Sequence, residues 1–333
     1  LAVDATGHYP LPAHELHFVQ HGENTTFRIE TAGAEPAEPG PYVPNRLLLR
    51  VHGASYNTAP EIESELIWLD ALRHETDLAV PEPLRASDGT FAVTLGGPET
   101  GGARSVSVLR WMRGALRERN VTPGRLAQLG RLMARLHSHG RQWRPPARFA
   151  RRRWDWDGIM ADGGHFGVPA EQAWAMIPAE LRDDWLLVGE RLRAAMAELG
   201  EGADAFGLIH ADLHLGNVIF ADGEARAIDF DDCGFGYWVH DLAVILGYWR
   251  LDPDWPEMRD GLLGGYATVQ PFPAGQLDYL DIFMVARRVS LMLWVLGKSV
   301  NDPSFRRNLD ESLAWAQRMV KAYLTGDWTP IAT

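Results

Sequence analysis

Lysine is nearly absent from this chain of 333 residues. Lys298 and Lys321 are the only two among 32 basic side chains, so any cation needed in the first 297 residues must be arginine or histidine. Cysteine is scarcer still: Cys233 stands alone, which excludes an internal disulfide and a cysteine zinc site and fits a reducing compartment. Basic charge is in deficit, and the formal net charge of −12 at pH 7 argues against general nucleic-acid binding through phosphate neutralisation. Long apolar runs are missing too. The most apolar late stretch, Ile282 to Leu296, is too short to span a bilayer and carries Arg287 and Arg288 in its middle, so it reads as a buried helix. Residues Leu1 to Pro10 lack the basic start and apolar core of a secretion signal. These absences make a cytoplasmic protein the expectation, with neither a membrane nor a nucleic-acid partner.

What is present is an ordinary globular composition, 46% hydrophobic and 23% charged, in a chain long enough for two domains. Leu16–His21, Thr25–Glu30 and Arg46–His52 read as strands of an antiparallel meander, with Gly22 at the first turn. The four prolines and two glycines of Ala32–Pro44 predict a long connection rather than a central strand. After Pro60, Ile62, Leu66, Leu69 and Leu72 recur at helical spacing, giving a helix that ends near His74. Thr90–Leu95 and Ser105–Trp111 flank a Gly-rich turn, Gly96–Gly102, and complete five strands. Past Gly114 the pattern becomes helical: Arg125–His139, Ala170–Leu199, Trp238–Arg250, Glu257–Val269, Gln276–Gly297 and Asn308–Tyr323 are the expected helices. Within them Gly207–Ile209 and Val218–Asp229 read as strands, the latter bent into a hairpin at Asp222-Gly223.

The chemistry concentrates in one segment. His210-Ala211-Asp212-Leu213-His214-Leu215-Gly216-Asn217 is followed by an apolar hairpin and then by Asp229-Phe230-Asp231. Phosphoryl transfer needs a carboxylate to orient an acceptor hydroxyl and take its proton, and an amide oxygen plus a carboxylate to hold magnesium ions on the phosphates. Asp212, Asn217 and Asp229 supply one of each, and the hairpin would return Asp229 to the side of Asn217.

In these motifs the chain resembles the aminoglycoside phosphotransferase and choline kinase superfamily, over about Leu16 to Tyr323, with His240-Asp241-Leu242-Ala243 opening the next helix. Similar patterns appear in its bacterial stress-response kinase and homoserine-kinase-like branches, and Ser64-Glu65-Leu66 with Trp68-Leu69 and Arg153-Trp154-Asp155 look most like the former. The resemblance implies an α+β, bilobal protein-kinase-like fold: a small antiparallel five-stranded N-lobe (1–110), a hinge (111–114) and a larger, mainly helical C-lobe (115–333). It implies that Asp212 is the catalytic base, that Asn217 and Asp229 bind Mg²⁺, and that Asp231 is a further metal ligand or a supporting carboxylate. Asp241 would anchor the catalytic loop by hydrogen bonds or simply stabilise a helix N-terminus, and His210 would hold the loop.

For the nucleotide, the resemblance offers the turn His21-Gly22-Glu23-Asn24 as a reduced covering loop, with Gly22 allowing close backbone approach. Arg50 stands where kinases carry the strand lysine, with Glu65 as its helix partner; a solvated strand-end arginine is the plainer reading. Arg110, Trp111 and Met112 would join the lobes and offer backbone groups to adenine. The expected function is ATP-dependent transfer of the γ-phosphoryl group to a hydroxyl of a small molecule such as an amino sugar or amino alcohol. Only six residues separate Asp231 from the helix at Trp238, too few for the activation segment of regulated protein kinases. The alternatives are a stress-response-type protein Ser/Thr kinase, a nucleotide-binding pseudokinase, and a metal-dependent hydrolase using His210, Asp212, His214, Asp229, Asp231 and His240.

Six arginines between Arg141 and Arg153, with no acid among them, would form a solvated face or steer an anionic partner. Arg287 and Arg288 need partners if buried. Gly297-Lys298-Ser299 reads as a helix terminus rather than part of a phosphate loop, and Cys233 as an inert small residue.

Overall fold

A computed structural model describes residues 1–33, 40–54, 56–97, 101–117, 119 and 121–330. In chain order its elements are α1 (Ala2–Thr6), β1 (His14–His21), β2 (Thr25–Thr31), β3 (Tyr42–Val51), α2 (Ala59–Glu75), β4 (Ala92–Leu95), β5 (Arg104–Met112), β6 (Ala115–Leu116) and α3 (Pro123–Gln142). There follow β7 (Arg153–Trp154), α4 (Trp156–Met160), α5 (Gly163–Phe166), α6 (Ala170–Ala175), α7 (Ala179–Leu199), β8 (Phe206–Ile209), β9 (Val218–Ala221), β10 (Glu224–Ala227) and β11 (Gly234–Tyr237). The chain closes with α8 (Trp238–Leu246), α9 (Trp255–Ala267), α10 (Leu280–Lys298) and α11 (Leu309–Thr325). Parts of two expected connections, residues 34–39 of Ala32–Pro44 and residues 98–100 of Gly96–Gly102, lie outside the described residues.

The first compact unit comprises Leu1–Arg117, Trp143–Arg151 and Gly216–Asp231. Its five-stranded sheet runs β1-β2-β3-β5-β4, every neighbour antiparallel. Alternation along the strands sends Ile29, Leu47, Leu49, Val93, Val106 and Val108 into one core with Ala5 and Tyr9. The helix after β3 starts where the sequence stops resisting it. The Thr58 hydroxyl accepts the Glu61 N–H while the Glu61 carboxylate accepts the Thr58 N–H, a reciprocal cap with Pro60 in the first turn. The helix then buries Ile62, Leu66, Trp68, Leu69 and Leu72, and with them the acid Glu65.

β3 begins earlier than the proline content predicts. Pro44 lies inside it, tolerated because pairing with β2 starts only at Arg46 and pairing with β5 jumps from Tyr42 to Leu47, with Asn45 at φ 60° between. Residues 216–231 pack with this unit, although the sequence reading placed everything after 115 in the helical lobe. β9 and β10 form the expected hairpin, turning at Asp222 (φ 53°) and Gly223 (φ 80°), and β6 pairs along β9.

The second unit comprises Glu118–Gln142, Arg152–Leu215 and Asp232–Thr333. The expected helix 170–199 is two helices, because Pro178 has no N–H to donate and biases Ile177 away from helical geometry. The segment 276–297 opens as a 3-10 turn at Gln276–Tyr279 before α10 takes over. β11 escapes a sequence reading since Gly-Phe-Gly-Tyr has the look of a loop; it pairs with β8 and, in parallel, with β7. That strand occupies the short stretch between Asp231 and α8. α3 and α9 pack backbone to backbone: a Cβ at Gly130 would lie 2.0 Å from the Leu262 carbonyl oxygen, and one at Gly265 equally close to that of Ala127. No helix among the described residues is long and apolar enough to cross a membrane.

Candidate active site

The candidate residues fall into two groups, one in each unit. In the first unit Arg50 ends the apolar run of β3 and is buried at 4% exposure, which removes the solvated-arginine reading. Its Nη2 donates to Glu65 Oε1 at 2.8 Å, and its Nη1 lies 3.4 Å from Asp231 Oδ1 and 3.5 Å from Asp229 Oδ1. Burial works to discharge the guanidinium, but the carboxylates of Glu65, Asp231 and Asp229 outweigh it and hold its pKa above the ordinary arginine value. Glu65 is fully buried, and desolvation lifts its carboxyl to about 7 against the pull of Arg50.

The two acids of Asp229-Phe230-Asp231 have different lives. Asp231 is buried and committed: Oδ2 accepts from Asn24 Nδ2 at 2.8 Å, Oδ1 from Asn57 Nδ2 at 3.0 Å, and its carbonyl oxygen from Arg151 Nη2 at 2.5 Å. Asp231 thus ties together the turn after β1, the segment just before α2 and Arg151. Asp229 sits at φ 60° with its side chain half exposed. The Ile228 N–H donates to the Asn217 carbonyl oxygen at 2.9 Å, closing the base of the β9–β10 hairpin, so Asn217 and Asp229 stand at its two adjoining ends. Asn24 belongs to the turn after β1, and its Oδ1 accepts the Gly53 N–H at 3.2 Å. Gly22 has open space where a Cβ would be, whereas Gly53 is forced: a Cβ there would meet the Glu23 carbonyl oxygen at 2.4 Å.

Arg110, Trp111 and Met112 form the end of β5. Arg110 donates its N–H to the Glu82 carbonyl at 2.8 Å and its Nε stands 3.2 Å from the Glu82 carboxylate, so its N–H is not on offer to a base. Met112 is buried and pairs with Tyr42, and β5 runs unbroken through Trp111.

In the second unit the loop after β8 turns sharply at Ala211 (φ 69°) to present Asp212. Asp212 Oδ1 accepts from Arg287 Nη2 at 2.6 Å, and Oδ2 lies 3.4 Å from His214 Nε2. The loop is held from beneath by Asp241, fully buried in the first turn of α8. Its Oδ1 accepts the Ala211 N–H at 2.6 Å and its Oδ2 the His210 N–H at 3.2 Å. His137 Nε2 approaches the same carboxylate at 3.0 Å, and His137 Nδ1 meets Tyr266 Oη at 3.0 Å. Burial opposes the Asp241 charge, but hydrogen bonding and the charge of His137 hold its pKa below the usual carboxylate value. His210 is buried and its Nδ1 faces the Asp212 N–H at 3.4 Å, so its ring serves the turn.

Sequence reading missed Asn57, His137 and Tyr266, which carry no motif. It singled out Arg151 only as one of a run. That run is not a uniform solvated face: Arg151 is buried, Arg152 Nη1 lies 3.0 Å from His165 Nδ1, and Arg153 pairs with Asp155 and Glu201. Gly297 and Lys298 close α10, as expected of a helix terminus, and Cys233 is buried. The hydrolase alternative lacks its ligand set. His240 is buried, stacked 5.7 Å from Trp154, and no group of three His, Cys, Asp or Glu side chains among the described residues could hold a metal ion.

Three buried histidines predict an acid-sensitive fold. Desolvation pushes His52 and His165 down to about 3 and His240 to about 4, with nearby arginines adding to the effect. A histidine depressed in the folded state contributes stability that is complete above its unfolded pKa, about 6.5, and is lost as pH falls towards the folded value. Each should remove about 1.4 kcal/mol per pH unit in that window. Melting temperature is expected to fall steeply between pH 6.5 and 4.5, and a flat profile there would contradict the buried, neutral assignment.

The family model described as the phosphotransferase enzyme family (APH) matches residues 17–276. A solved microcompartment-associated aminopropanol kinase is 29% identical, with 99% of this chain and 98% of that one covered and a TM-score of 0.81. A homoserine kinase from Acidiphilium cryptum is 29% identical over 72% of each chain. Amicoumacin kinase hAmiN, solved with AMP-PNP, Ca²⁺ and Ami, is 18% identical with 100% and 98% coverage and a TM-score of 0.75, a likeness of fold.

Proposed function

We propose that this chain, which belongs to the APH phosphotransferase enzyme family, transfers the γ-phosphoryl group of ATP to a hydroxyl of a small molecule. The observation that carries the reading is the Asp212 carboxylate, set at a strained turn, gripped by Arg287 and backed by the Asp241 brace. In that reading Asp212 orients the acceptor hydroxyl and takes its proton as the new O–P bond forms. Arg50, fixed by Glu65, restrains the phosphates in place of the usual lysine; its planar fork suits two phosphate oxygens at once.

The donor set suits a hard dication. Asp229 offers a half-exposed carboxylate and Asn217 a side-chain amide at the adjoining hairpin end, both oxygen donors, whereas the Asp231 carboxylate is already committed to Asn24, Asn57 and Arg50. When bound there, Mg²⁺ would neutralise charge on the phosphate oxygens. The aminopropanol and homoserine kinases named above act on small hydroxyl compounds by name, which favours a small acceptor over a protein side chain.

A thermal-shift titration with ATP, with and without Mg²⁺, tests the reading. Ligand at about 100 times its Kd should stabilise the wild type by about 2.7 kcal/mol. Asp229→Ala should lose the Mg²⁺-dependent part of that shift; a variant that keeps it would remove Asp229 from the metal site.

A further inference from the structure

We infer that the acceptor carries an anionic oxygen group, a carboxylate in its simplest form, beside its hydroxyl, and that Arg288 on α10 reads it. The inference rests on the phosphotransferase reading above and names its substrate class.

Two arginines stand next to each other in sequence within the mainly apolar middle of α10. α10 buries Ile282, Phe283, Met284, Val285 and Ala286 immediately before them and Val289 and Ser290 immediately after. Arg287 spends its Nη2 on the Asp212 carboxylate at 2.6 Å. Arg288 is partly buried and has no carboxylate partner among the described residues. Its company is the Tyr248 ring, 5.8 Å from the guanidinium carbon, and Arg287. The one acid in the first turn of the helix, Asp281, is held by Arg250 at 2.7 Å. Burial and the neighbouring Arg287 bring the Arg288 pKa below the ordinary arginine value.

A partly buried cation without a counter-charge is costly to keep. A ligand oxyanion would relieve it, and the guanidinium fork accepts a carboxylate through two parallel hydrogen bonds. Arg288 follows directly in sequence the residue that grips Asp212. An acceptor whose hydroxyl meets the Asp212 carboxylate would therefore place a second functional group a few carbons away within reach of α10. The ammonium of a simple amino alcohol would meet two guanidinium groups of like charge there. Tyr248, 49% exposed just beyond the end of α8, supplies a face on which the alkyl part can lie.

The test uses the intact chain with Mg-ATP and three matched acceptors: homoserine, 4-hydroxybutyrate, and 3-amino-1-propanol, which is homoserine without its carboxylate. ADP release gives kcat and KM, and thermal shift of the Mg-ADP-saturated chain gives binding. The expected result is lower KM for the two acids than for the amino alcohol. Arg288→Ala should raise KM for the acids tenfold or more with a smaller change in kcat, and lower it for the amino alcohol; Arg288→Lys should recover part of the loss. Transfer to the amino alcohol with equal or better kcat/KM, an acid KM unmoved by Arg288→Ala, or no stabilisation by either acid would overturn the inference and leave the phosphotransferase reading standing. Absence of both a Mg-ATP shift and ADP release with any acceptor would overturn the two together.

Discussion

Asp212→Asn is expected to lower kcat by about 10²–10⁴-fold while leaving the affinity for Mg-ATP nearly unchanged, since a positioned base contributes on that order to proton transfer. Asparagine keeps the size of the side chain and loses the charge proposed to accept the proton. The groups proposed for the phosphates are held without Asp212: Arg50 by Glu65, and Asp231 by Asn24 and Asn57. One side effect must be separated from the chemistry. Arg287 loses the Asp212 charge in the variant, and because both side chains are largely buried, stability should fall as well. Adding Arg287→Met to Asp212→Asn should restore the melting temperature without restoring turnover. ADP release at saturating acceptor is the measurement, and a variant retaining more than a tenth of wild-type turnover would remove Asp212 from the role.

How much of this site was legible in advance follows from sequence distance. The Asn217–Asp229 pairing is written locally: an Asp-Gly turn at 222–223 between two apolar strands forces the hairpin, and the hairpin forces its ends together. The Arg50–Glu65 pair spans one strand and one helix, and the scarcity of lysine pointed to an arginine there. The partners that fix Asp212 and its loop are of another kind. Arg287 lies 75 residues from Asp212, and His137 lies 104 residues from Asp241, each brought in by helix packing that no local pattern encodes. Asp241 was recognised by its place in His240-Asp241-Leu242-Ala243, but the histidine behind it sits in an unremarkable helix. Composition also misled where backbone geometry prevailed. Pro44 entered β3 at an irregularity, and a glycine-rich run became β11 because Gly236 leaves room for Ile209, whose Cδ1 would lie 2.6 Å from a Cβ there.

Arg50 carries the largest expected effect on stability. Arg50→Met removes the charge that compensates Glu65 in a fully buried setting, and breaking such a pair by deleting one partner destabilises by about 3–5 kcal/mol. Asp231 suffers less, because Asn24 and Asn57 still donate to it. The pH dependence identifies Glu65 as the cause. Its carboxyl already titrates near 7 with Arg50 pulling it down, so without Arg50 it rises further. A carboxyl raised above its unfolded value contributes stability that is present below about 4.5 and is lost as pH climbs through the folded pKa. The deficit of Arg50→Met against wild type should therefore be small near pH 5 and grow towards pH 8, read as the difference in denaturant midpoints between the two proteins. Arg50→Met combined with Glu65→Leu replaces the pair by apolar groups and should recover most of the stability at pH 8, as such replacements do elsewhere. With Arg50 restraining the phosphates as proposed, the double variant should still bind Mg-ATP more weakly than wild type, because no apolar side chain performs that second duty. Recovered stability together with wild-type nucleotide affinity would leave Arg50 a purely structural residue.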